Sequence, residues 1–342
     1  MIKDYLESED QDRLADLLVA WEESFDAGKE KSAVEIAFKF PHLIEPLQIQ
    51  IESLKKTLWI KKDPGRKLTD REAQCLKTLS GIIADRYQIE ELIGTGGYGQ
   101  VYRATDLKLE RPVAIKIGHS QFSSDLLMEE ARRVARLKHP NIIAIHDVGQ
   151  YKGKVFLVFE FAEGESLDKV ILEHKMTVKK AVDLMISISM ALHYAHEQSC
   201  IHRDIKPANI IIALKEMPLI ADFGVAVSFQ ELQSGQVSNR ETLAYMAPEQ
   251  VADEVQLISP QTDIHALGVL LFELLTGELP YQSENEISLR EEIMLRKAKR
   301  LRDVNQELPA YLETICSKCL EKHPEDRFKS AKELAQELHR TK

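Results

Sequence analysis

Two short motifs supply side chains that suit one kind of group-transfer chemistry. The first reads His-Arg-Asp-Ile-Lys-Pro-Ala-Asn and contains Asp204, Lys206 and Asn209, and the second is the Asp-Phe-Gly that begins at Asp222. Asp204 can orient a hydroxyl and accept its proton, and Lys206 can neutralise a phosphoryl group during transfer. Asn209 and Asp222 offer the oxygen donors that Mg²⁺ prefers. Together the motifs predict transfer of a phosphoryl group to a hydroxyl.

A glycine-rich stretch from Gly94 to Gly99 lies upstream of these motifs, between segments that alternate like β-strands. Its G-x-G-x-x-G spacing alone also fits a dinucleotide-binding turn, but that turn opens a helix. Val101 follows here in a strand-like segment, so we predict a hairpin whose backbone can approach phosphates. Lys116 ends the apolar strand-like segment that starts at Val113, where its ammonium can bind further phosphate oxygens.

The spacing of these motifs resembles that of protein kinases, and most closely the Hanks-type (eukaryotic-like) serine/threonine kinases of bacteria. The resemblance extends from about Arg86 to Leu338, roughly three quarters of the chain. It implies an α+β fold with two lobes, a small antiparallel β-sheet lobe and a larger helical lobe, with ATP bound between them. It also implies a buried ion pair between Glu249 and Arg327. One departure is His265, which stands where tryptophan or tyrosine is common.

The resemblance implies roles for individual residues. It assigns catalysis to Asp204, Lys206, Lys116 and Glu130. Glu130 would align Lys116 from the next helix, and the neighbouring Glu129 is the alternative. Asn209 and Asp222 would hold Mg²⁺, with Mn²⁺ as an alternative metal. Nucleotide binding falls to Gly94, Thr95, Gly96, Gly97, Tyr98, Gly99, Val101, Ala114, Lys116, Glu160, Ala162, Ser166 and Ile211.

The resemblance also indicates which hydroxyl is phosphorylated and where regulation acts. Lys206 indicates serine/threonine specificity, because tyrosine kinases of the family usually replace the Lys-Pro-Ala portion of the motif. Thr242 agrees, since in relatives it contacts the catalytic residues. The polar stretch at 228–240 offers loop hydroxyls, and we predict autophosphorylation at Ser234, with Ser238 second. A phosphate there can order a loop against an arginine.

We therefore predict a cytoplasmic signalling kinase that transfers the γ-phosphoryl group of Mg·ATP to serine and threonine hydroxyls of protein substrates. The alternative is a pseudokinase, a nucleotide-binding docking scaffold without turnover. The net charge of −10 argues against nucleic acid as the main partner. No uninterrupted apolar stretch approaches the roughly 18 residues of a membrane span, and the first residues lack the apolar core of a signal peptide.

Cys316 and Cys319 form a C-x-x-C on one predicted helix face, which favours buried thiols over a redox or metal site.

The pattern of apolar residues, together with the resemblance to protein kinases, predicts three regions. They are a helical N-terminal extension at 1–62, a linker with a short helix at 63–85, and a kinase domain at 86–338 with N-lobe 86–159, hinge 160–165 and C-lobe 166–338. The extension is either a packing extension or a docking or regulatory element, which would bind a partner or the kinase domain. One of its segments is ambiguous. Val34, Ala37 and Phe38 fit one helix face, whereas Val34, Ile36, Phe38 and Phe40 alternate like a strand. Helical patterns on both sides favour the helix.

Overall fold

The computed structural model describes most of the chain from Ile82 onward and scattered parts before it. The described residues are 13, 17, 21, 31–44, 47–48, 51, 82–96, 99–118, 131–151, 154–173, 176–223, 240–283 and 285–340. Predictions for the following residues lie outside them: Gly97, Tyr98, Glu129, Glu130, Ser234, Ser238 and most of the linker at 63–85. The chain divides into two compact units, Met1–Leu79 and Ser80–Lys342.

The first unit contains a short helix, α1 (Ala33–Ile36), that begins with reciprocal capping bonds. The backbone N–H of Glu35 donates to the Ser32 hydroxyl oxygen, and the Glu35 carboxylate accepts the Ser32 N–H over 2.7 Å. These bonds satisfy donors that the start of a helix leaves open. The prediction of a helix rather than a strand is confirmed for this segment.

The buried face of α1 differs from the predicted one. Ala33 and Ala37 are buried, whereas Val34 and Phe38 expose 56% and 65% of their surface. The predicted face was wrong because the two alanines, four residues apart, form the side that joins the core of this unit. That core consists of Trp21, Ala33, Ala37, Leu43, Leu47 and Ile51.

The second unit begins with a six-stranded sheet in which every neighbouring pair is antiparallel. Its strands are β1 (Ile82–Ile83), β2 (Tyr87–Gly96), β3 (Gly99–Asp106), β4 (Arg111–Gly118), β5 (Ile145–Tyr151) and β6 (Lys154–Glu160). They follow the order β1-β2-β3-β4-β6-β5. The short connections within β1 to β4 and between β5 and β6 suit such pairing, because antiparallel neighbours can be joined by a tight hairpin. A long connection separates β4 from β5, which are not neighbours in the sheet.

Strand β4 shows how the sheet positions a charged side chain. Val113 and Ile115 point into a small apolar core on one face of the sheet. Ala114 and Lys116 alternate with them and so lie on the opposite face. Ala114 packs against the second, larger core of this unit. Lys116 pairs in register with Val101 on β3. Because side chains along a strand alternate between its two faces, the Lys116 side chain lies on the same face as that of Ala114.

Helices and a small sheet make up the remainder of this unit. The helices are α2 (Leu167–Glu173), α3 (Val178–Glu197), α4 (Arg240–Leu243), α5 (Pro248–Val251), α6 (Pro260–Thr276), α7 (Glu286–Leu295), α8 (Leu301–Val304), α9 (Ala310–Cys319) and α10 (Ala331–His339). The antiparallel strands are β7 (Gly164–Ser166), β8 (Ile210–Ala213) and β9 (Met217–Ile220), in the order β7-β8-β9. Within the described ranges, no helix is both long and apolar enough to cross a membrane.

Helix α6 is buried along most of its length, as expected for a helix that is apolar on nearly all sides. Gly277, with a φ of 74°, ends it in the left-handed conformation that glycine adopts readily. Gly268 permits close packing of α9, because a Cβ there would lie 2.6 Å from the Cβ of Cys319. Cys316 and Cys319 are both buried, as predicted, and burial raises the pKa of each thiol.

Candidate active site

One buried carboxylate on α6 holds the backbone of the loop between α3 and β8. Asp263 Oδ1 accepts the N–H of Arg203, and Oδ2 accepts that of His202, each over 2.8 Å. Burial raises the pKa of Asp263, but the hydrogen bonds that it accepts prevail and leave the pKa below its ordinary value. Arg203 has a positive φ of 67°, which is strained for a residue other than glycine, and Gln250 Nε2 donates to its carbonyl. The loop therefore presents its next residue, Asp204, from a fixed backbone.

The His202 ring joins this loop to the segment that bears the second motif. Its Nε2 lies 2.9 Å from the Ala221 carbonyl oxygen, so Nε2 carries the proton, and Nδ1 accepts the N–H of Asp204 over 3.3 Å. The ring centroid lies 4.6 Å from that of Phe223. The N–H of Ala221 in turn donates to the Asn209 carbonyl over 2.8 Å. The two motifs therefore lie side by side.

Two neighbours bind the same oxygen of Asp204. The Asn209 amide donates to the carbonyl and to Oδ2 of Asp204, over 2.7 and 2.9 Å. Lys206 Nζ lies 3.0 Å from Oδ2 and donates to Thr242 Oγ1 over 2.9 Å. The predicted contact between Thr242 and a catalytic residue is thus confirmed for Lys206. Since both neighbours use Oδ2, Oδ1 of Asp204 is the atom placed to accept a proton.

Lys116 and Asp222 form an ion pair in which Nζ lies 2.9 Å from Oδ1. The Lys116 side chain is 10% exposed and that of Asp222 is 32% exposed. Burial raises the pKa of Asp222, but the charge and hydrogen bond of Lys116 outweigh it and leave the pKa below its ordinary value. Asp222 is therefore an ionised oxygen donor beside a cation. The residues predicted to bind phosphate and metal lie in contact.

The donors around this pair fit a magnesium ion. Asn209 uses its amide nitrogen to bind Asp204, which leaves its oxygen for a cation, and Asp222 supplies a carboxylate. The described residues include no group of three or more His, Cys, Asp or Glu that could hold a metal by themselves. Mg²⁺, however, commonly takes only one or two protein carboxylates and completes its shell with substrate phosphates and water. These residues suit that arrangement.

The glycine-rich stretch forms the predicted hairpin, with β2 and β3 paired on either side of it. Gly94 lies opposite Val101, and Gly96 lies opposite Gly99. Gly99 has a φ of 152°, and a Cβ there would lie 2.2 Å from the Ile117 carbonyl oxygen. Only glycine fits this position without moving the backbone. At Gly99 the strand can therefore present backbone rather than side chain to a ligand.

Four predicted nucleotide-binding residues, Val101, Ala114, Ser166 and Ile211, lie on two sheets. On the six-stranded sheet, Ala114 lies opposite Phe159 in the register of β4 and β6, and Val101 lies on the strand beside Ala114. On the three-stranded sheet, Ser166 lies opposite Ile211. Phe159 is buried, and the other four are partly buried. These residues offer apolar walls with one hydroxyl, a composition typical of a nucleotide pocket.

The segment between β6 and β7 connects the two sheets. The N–H of Glu160 donates to the Ala144 carbonyl over 2.9 Å, so only the carbonyl of Glu160 is left to bond a ligand. Ala162 lies in the segment without regular structure that follows. Gly164 opens β7, where a Cβ would lie 2.3 Å from the Ile212 carbonyl oxygen. The segment therefore ends in a close contact of two backbones that only glycine permits.

The predicted ion pair of Glu249 and Arg327 is confirmed. Arg327 Nη1 and Nη2 donate to the two carboxylate oxygens of Glu249 over 2.7 and 2.8 Å, and both side chains are buried. The guanidinium also donates to the carbonyls of Gln261, Glu321 and Lys322. These contacts employ all five N–H donors of the guanidinium. The pair ties α5, which follows Thr242 in the chain, to the segment before α10.

The resemblance implies that the helix containing Asp263 anchors this loop, whereas the sequence indicated no role for Gln250 or the His202 ring. Asp263 lies in the first turn of α6, which is apolar over most of its length, and a charge in such a place needs partners when it is buried. The position of Asp263 in such a helix therefore indicates a side chain that holds other parts of the structure in place. The partners of Gln250 and His202 could not be found from sequence, because each contact joins residues far apart in the chain.

Comparison with known proteins identifies similar chains. The family described as protein kinase domain matches residues 87–339. A probable serine/threonine-protein kinase of Clostridium acetobutylicum is 34% identical over 268 residues, which are 76% of this chain and 40% of that protein. The serine/threonine-protein kinase PrkC of Bacillus subtilis is 33% identical over 266 residues, 75% of this chain and 40% of that protein. The chain thus spans about two fifths of the length of these curated relatives.

A solved structure supports the fold. The kinase domain of Mycobacterium tuberculosis PknI, determined as a point mutant, is similar with a TM-score of 0.62 at 23% identity. The match covers 76% of this chain and 97% of that domain. The predicted α+β fold with a small antiparallel sheet lobe and a larger helical lobe is therefore confirmed.

Proposed function

Because the chain belongs to the protein kinase family, of the Hanks type found in bacteria, we propose that it transfers the γ-phosphoryl group of ATP to serine and threonine hydroxyls of proteins. One observation supports this most directly: Asn209 and Lys206 hold one oxygen of Asp204. The ion pair of Lys116 and Asp222 lies at the adjoining turn. These are the groups that the reaction requires for proton acceptance and charge neutralisation.

Each residue of the site has a separate role in the proposed reaction. Oδ1 of Asp204 orients the substrate hydroxyl and accepts its proton. Lys206, held by Thr242, neutralises charge on the transferred group, and Lys116 binds the α- and β-phosphates of ATP. Asn209 and Asp222 would hold Mg²⁺, or Mn²⁺ as an alternative, which neutralises phosphate charge when it is bound. Glu130, which lies outside the described residues, is proposed to align Lys116.

The test is phosphoryl transfer by the full chain. The protein is incubated with magnesium and ATP labelled in the γ-phosphoryl group, with dephosphorylated casein as the acceptor. We expect label on phosphoserine and phosphothreonine of the acceptor. The Asp204→Asn variant, which keeps the side-chain size but loses the proton acceptor, should transfer at least about a hundredfold less. A folded wild-type protein that binds ATP but transfers no label would support the pseudokinase alternative instead.

A further inference from the structure

An arginine on β3 places its charge against an aromatic ring that follows β6. The guanidinium carbon of Arg103 lies over the Phe161 ring, 5.0 Å from its centroid. A cation is attracted to the face of an aromatic ring when it lies within about 6 Å of the centroid. Phe161 is partly buried and comes directly after the last residue of β6. The contact therefore links the six-stranded sheet to the segment that leads to β7.

The register of the sheet shows which face carries Arg103. Arg103 lies opposite Ala114 on β4, and Ala114 lies opposite Phe159 on β6. Residues directly opposite each other on neighbouring strands project to the same face of a sheet. Val101 is two residues from Arg103 on β3, and side chains at that spacing also share a face. The Arg103 side chain therefore lies on the same face as Val101 and Ala114, which the resemblance assigns to nucleotide binding.

A β-bulge brings two carboxylates against this guanidinium. The register of β2 and β3 shifts between Ile89 and Glu91, so Glu90 is an extra residue on β2. Glu90 Oε2 lies 3.1 Å from Nε of Arg103, and Glu91 Oε1 lies 3.7 Å from Nη1. Because all three side chains are partly exposed, these pairs add little stability by themselves. They hold the guanidinium from β2 and so direct it toward the ring.

Phe161 lies between two residues that are assigned to the nucleotide. In the proposed function, the backbone of Glu160 and that of Ala162 bind the adenine base of ATP. The N–H of Glu160 is held by the Ala144 carbonyl over 2.9 Å, whereas Ala162 lies in a segment without regular structure. Hydrogen bonds to a base depend on the orientation of the peptide groups that make them. A fixed Phe161 ring therefore orients the peptide groups on either side of it.

We propose that Arg103 is a positioning residue for the nucleotide, which acts on the segment from Glu160 to Ala162 through the Phe161 ring. The proposal rests on the proposed function. Without the cation the ring is free to turn, and binding of the base must then order this segment. A contact of this kind changes an affinity by about two- to fivefold. The KM for ATP should rise by that factor, and kcat should change by less than about twofold, because the transferred group lies at the other end of ATP.

Four variants test whether Arg103 acts through the ring. Arg103→Met removes the charge and keeps an unbranched side chain, and Phe161→Leu removes the aromatic face and keeps an apolar one. Each should raise the Kd for Mg·ADP about two- to fivefold. The double variant should bind no more weakly than Phe161→Leu, because the contact is already lost. Phe161→Tyr restores an aromatic face and should bind within about twofold of the wild type.

A ligand without phosphate separates this role from a direct contact of Arg103 with phosphate. Adenosine carries the base and the ribose alone. Calorimetric titration of Arg103→Met should give the same fold-change in Kd for adenosine as for Mg·ADP. Lys108, exposed in the turn after β3, provides the matched control for the loss of one positive charge. Lys108→Met should bind both ligands like the wild type, and melting temperatures show that each variant is folded.

The outcomes distinguish this proposal from the proposed function. A weaker affinity of Arg103→Met for Mg·ADP but not for adenosine would overturn the positioning role in favour of a phosphate contact. Wild-type affinity in folded Arg103→Met, or additive losses in the double variant, would also overturn it. A wild-type protein that binds Mg·ADP but transfers no phosphoryl group would overturn the proposed function alone. In that case the Kd values for adenosine would still decide whether Arg103 acts through Phe161.

Discussion

The ammonium of Lys116, on the six-stranded sheet, lies 2.9 Å from the carboxylate of Asp222, on the turn after β9. The two side chains come from different lobes and join the proposed phosphate-binding and metal-binding positions. The charge and hydrogen bond of Lys116 outweigh burial and hold the pKa of Asp222 below its ordinary value, so the carboxylate is ionised. A bound nucleotide with its metal ion offers each of them a new partner of opposite charge. The pair therefore presents a positive and a negative group to a ligand that carries charges of both signs, such as a nucleotide with its metal ion.

Lys116→Met and Asp222→Asn should each reduce phosphoryl transfer by about a hundredfold or more, because each removes a charge that acts on the phosphates or their metal. Transfer to casein at saturating ATP measures the effect, with circular dichroism to show that the fold remains. Lys154→Met, at the exposed start of β6, is the matched lysine control and should transfer like the wild type. Retention of more than about a tenth of the wild-type rate in either cleft variant would contradict the assigned roles.

Arg327→Met should lower the free energy of unfolding by about 3–5 kcal/mol, because it leaves the buried Glu249 carboxylate without its cation. Urea denaturation monitored by fluorescence measures this change. The exposed pair of Arg300 and Asp303, three residues apart, serves as the control, and Arg300→Met should leave the denaturation midpoint unchanged. A loss below about 1 kcal/mol in Arg327→Met would show that the pair is not a major source of stability.

His265 should make the stability of the fold depend on pH. Its ring is fully buried and stacks on Tyr281 with a centroid distance of 6.3 Å. Neither ring nitrogen has a hydrogen-bond partner within the described ranges. Burial, and then the charges of Arg327 and Lys322, hold the pKa of His265 well below its ordinary value of 6.5. The unfolded chain therefore takes up a proton at a pH where the folded protein does not.

The pKa of His265 is lower in the folded protein than in the unfolded chain, and this difference determines the direction in which stability changes with pH. As pH falls below 6.5, the free energy of unfolding should decrease by up to about 1.4 kcal/mol per pH unit from this residue alone. His265→Phe should remove that part of the slope between pH 6.5 and 5, as measured by urea denaturation at each pH. His339→Gln, at an exposed position of α10, should not. Equal slopes in wild type and His265→Phe would contradict this account.

Incubation with Mg·ATP should phosphorylate Ser234, and secondarily Ser238, in the polar stretch before Thr242. Both serines lie outside the described residues, so this stays a prediction from sequence. A phosphate adds about −1.5 to −2 charges that can pair with an arginine and order the loop. Mass spectrometry should find the phosphate in the wild type and not in Asp204→Asn. Full activity in a variant with both Ser234→Ala and Ser238→Ala would show that the loop needs no phosphate.

The fragment of residues 80–342 should turn over Mg·ATP without the first unit. The division of the chain falls at Leu79 and Ser80, and the described residues of the apolar core around Trp21 belong to the first unit. The rate of the fragment and of the full chain, measured together with their melting temperatures, tests the role of residues 1–62. Equal values would favour a separate partner-binding element. A change in either would favour an extension that acts on the kinase domain.

Patterns that span a few residues determined much of this protein from sequence alone. The apolar residues from Val113 to Ile115 predicted a strand that carries Lys116, and β4 has that form. The strand-like residues after Gly99 predicted a hairpin rather than the start of a helix, and β2 and β3 form one. Such features depend on the repeat of the local backbone, which neighbouring residues set by themselves.

Only the tertiary structure decided which distant groups meet. No local pattern indicates that Asp263 holds His202 and Arg203 or that His196 bonds to Asp263, because these contacts depend on how α3 and α6 pack. The buried face of α1 was mistaken for the same reason. A helix of one turn can bury any of several sides. Packing against the rest of the unit determines which side is buried.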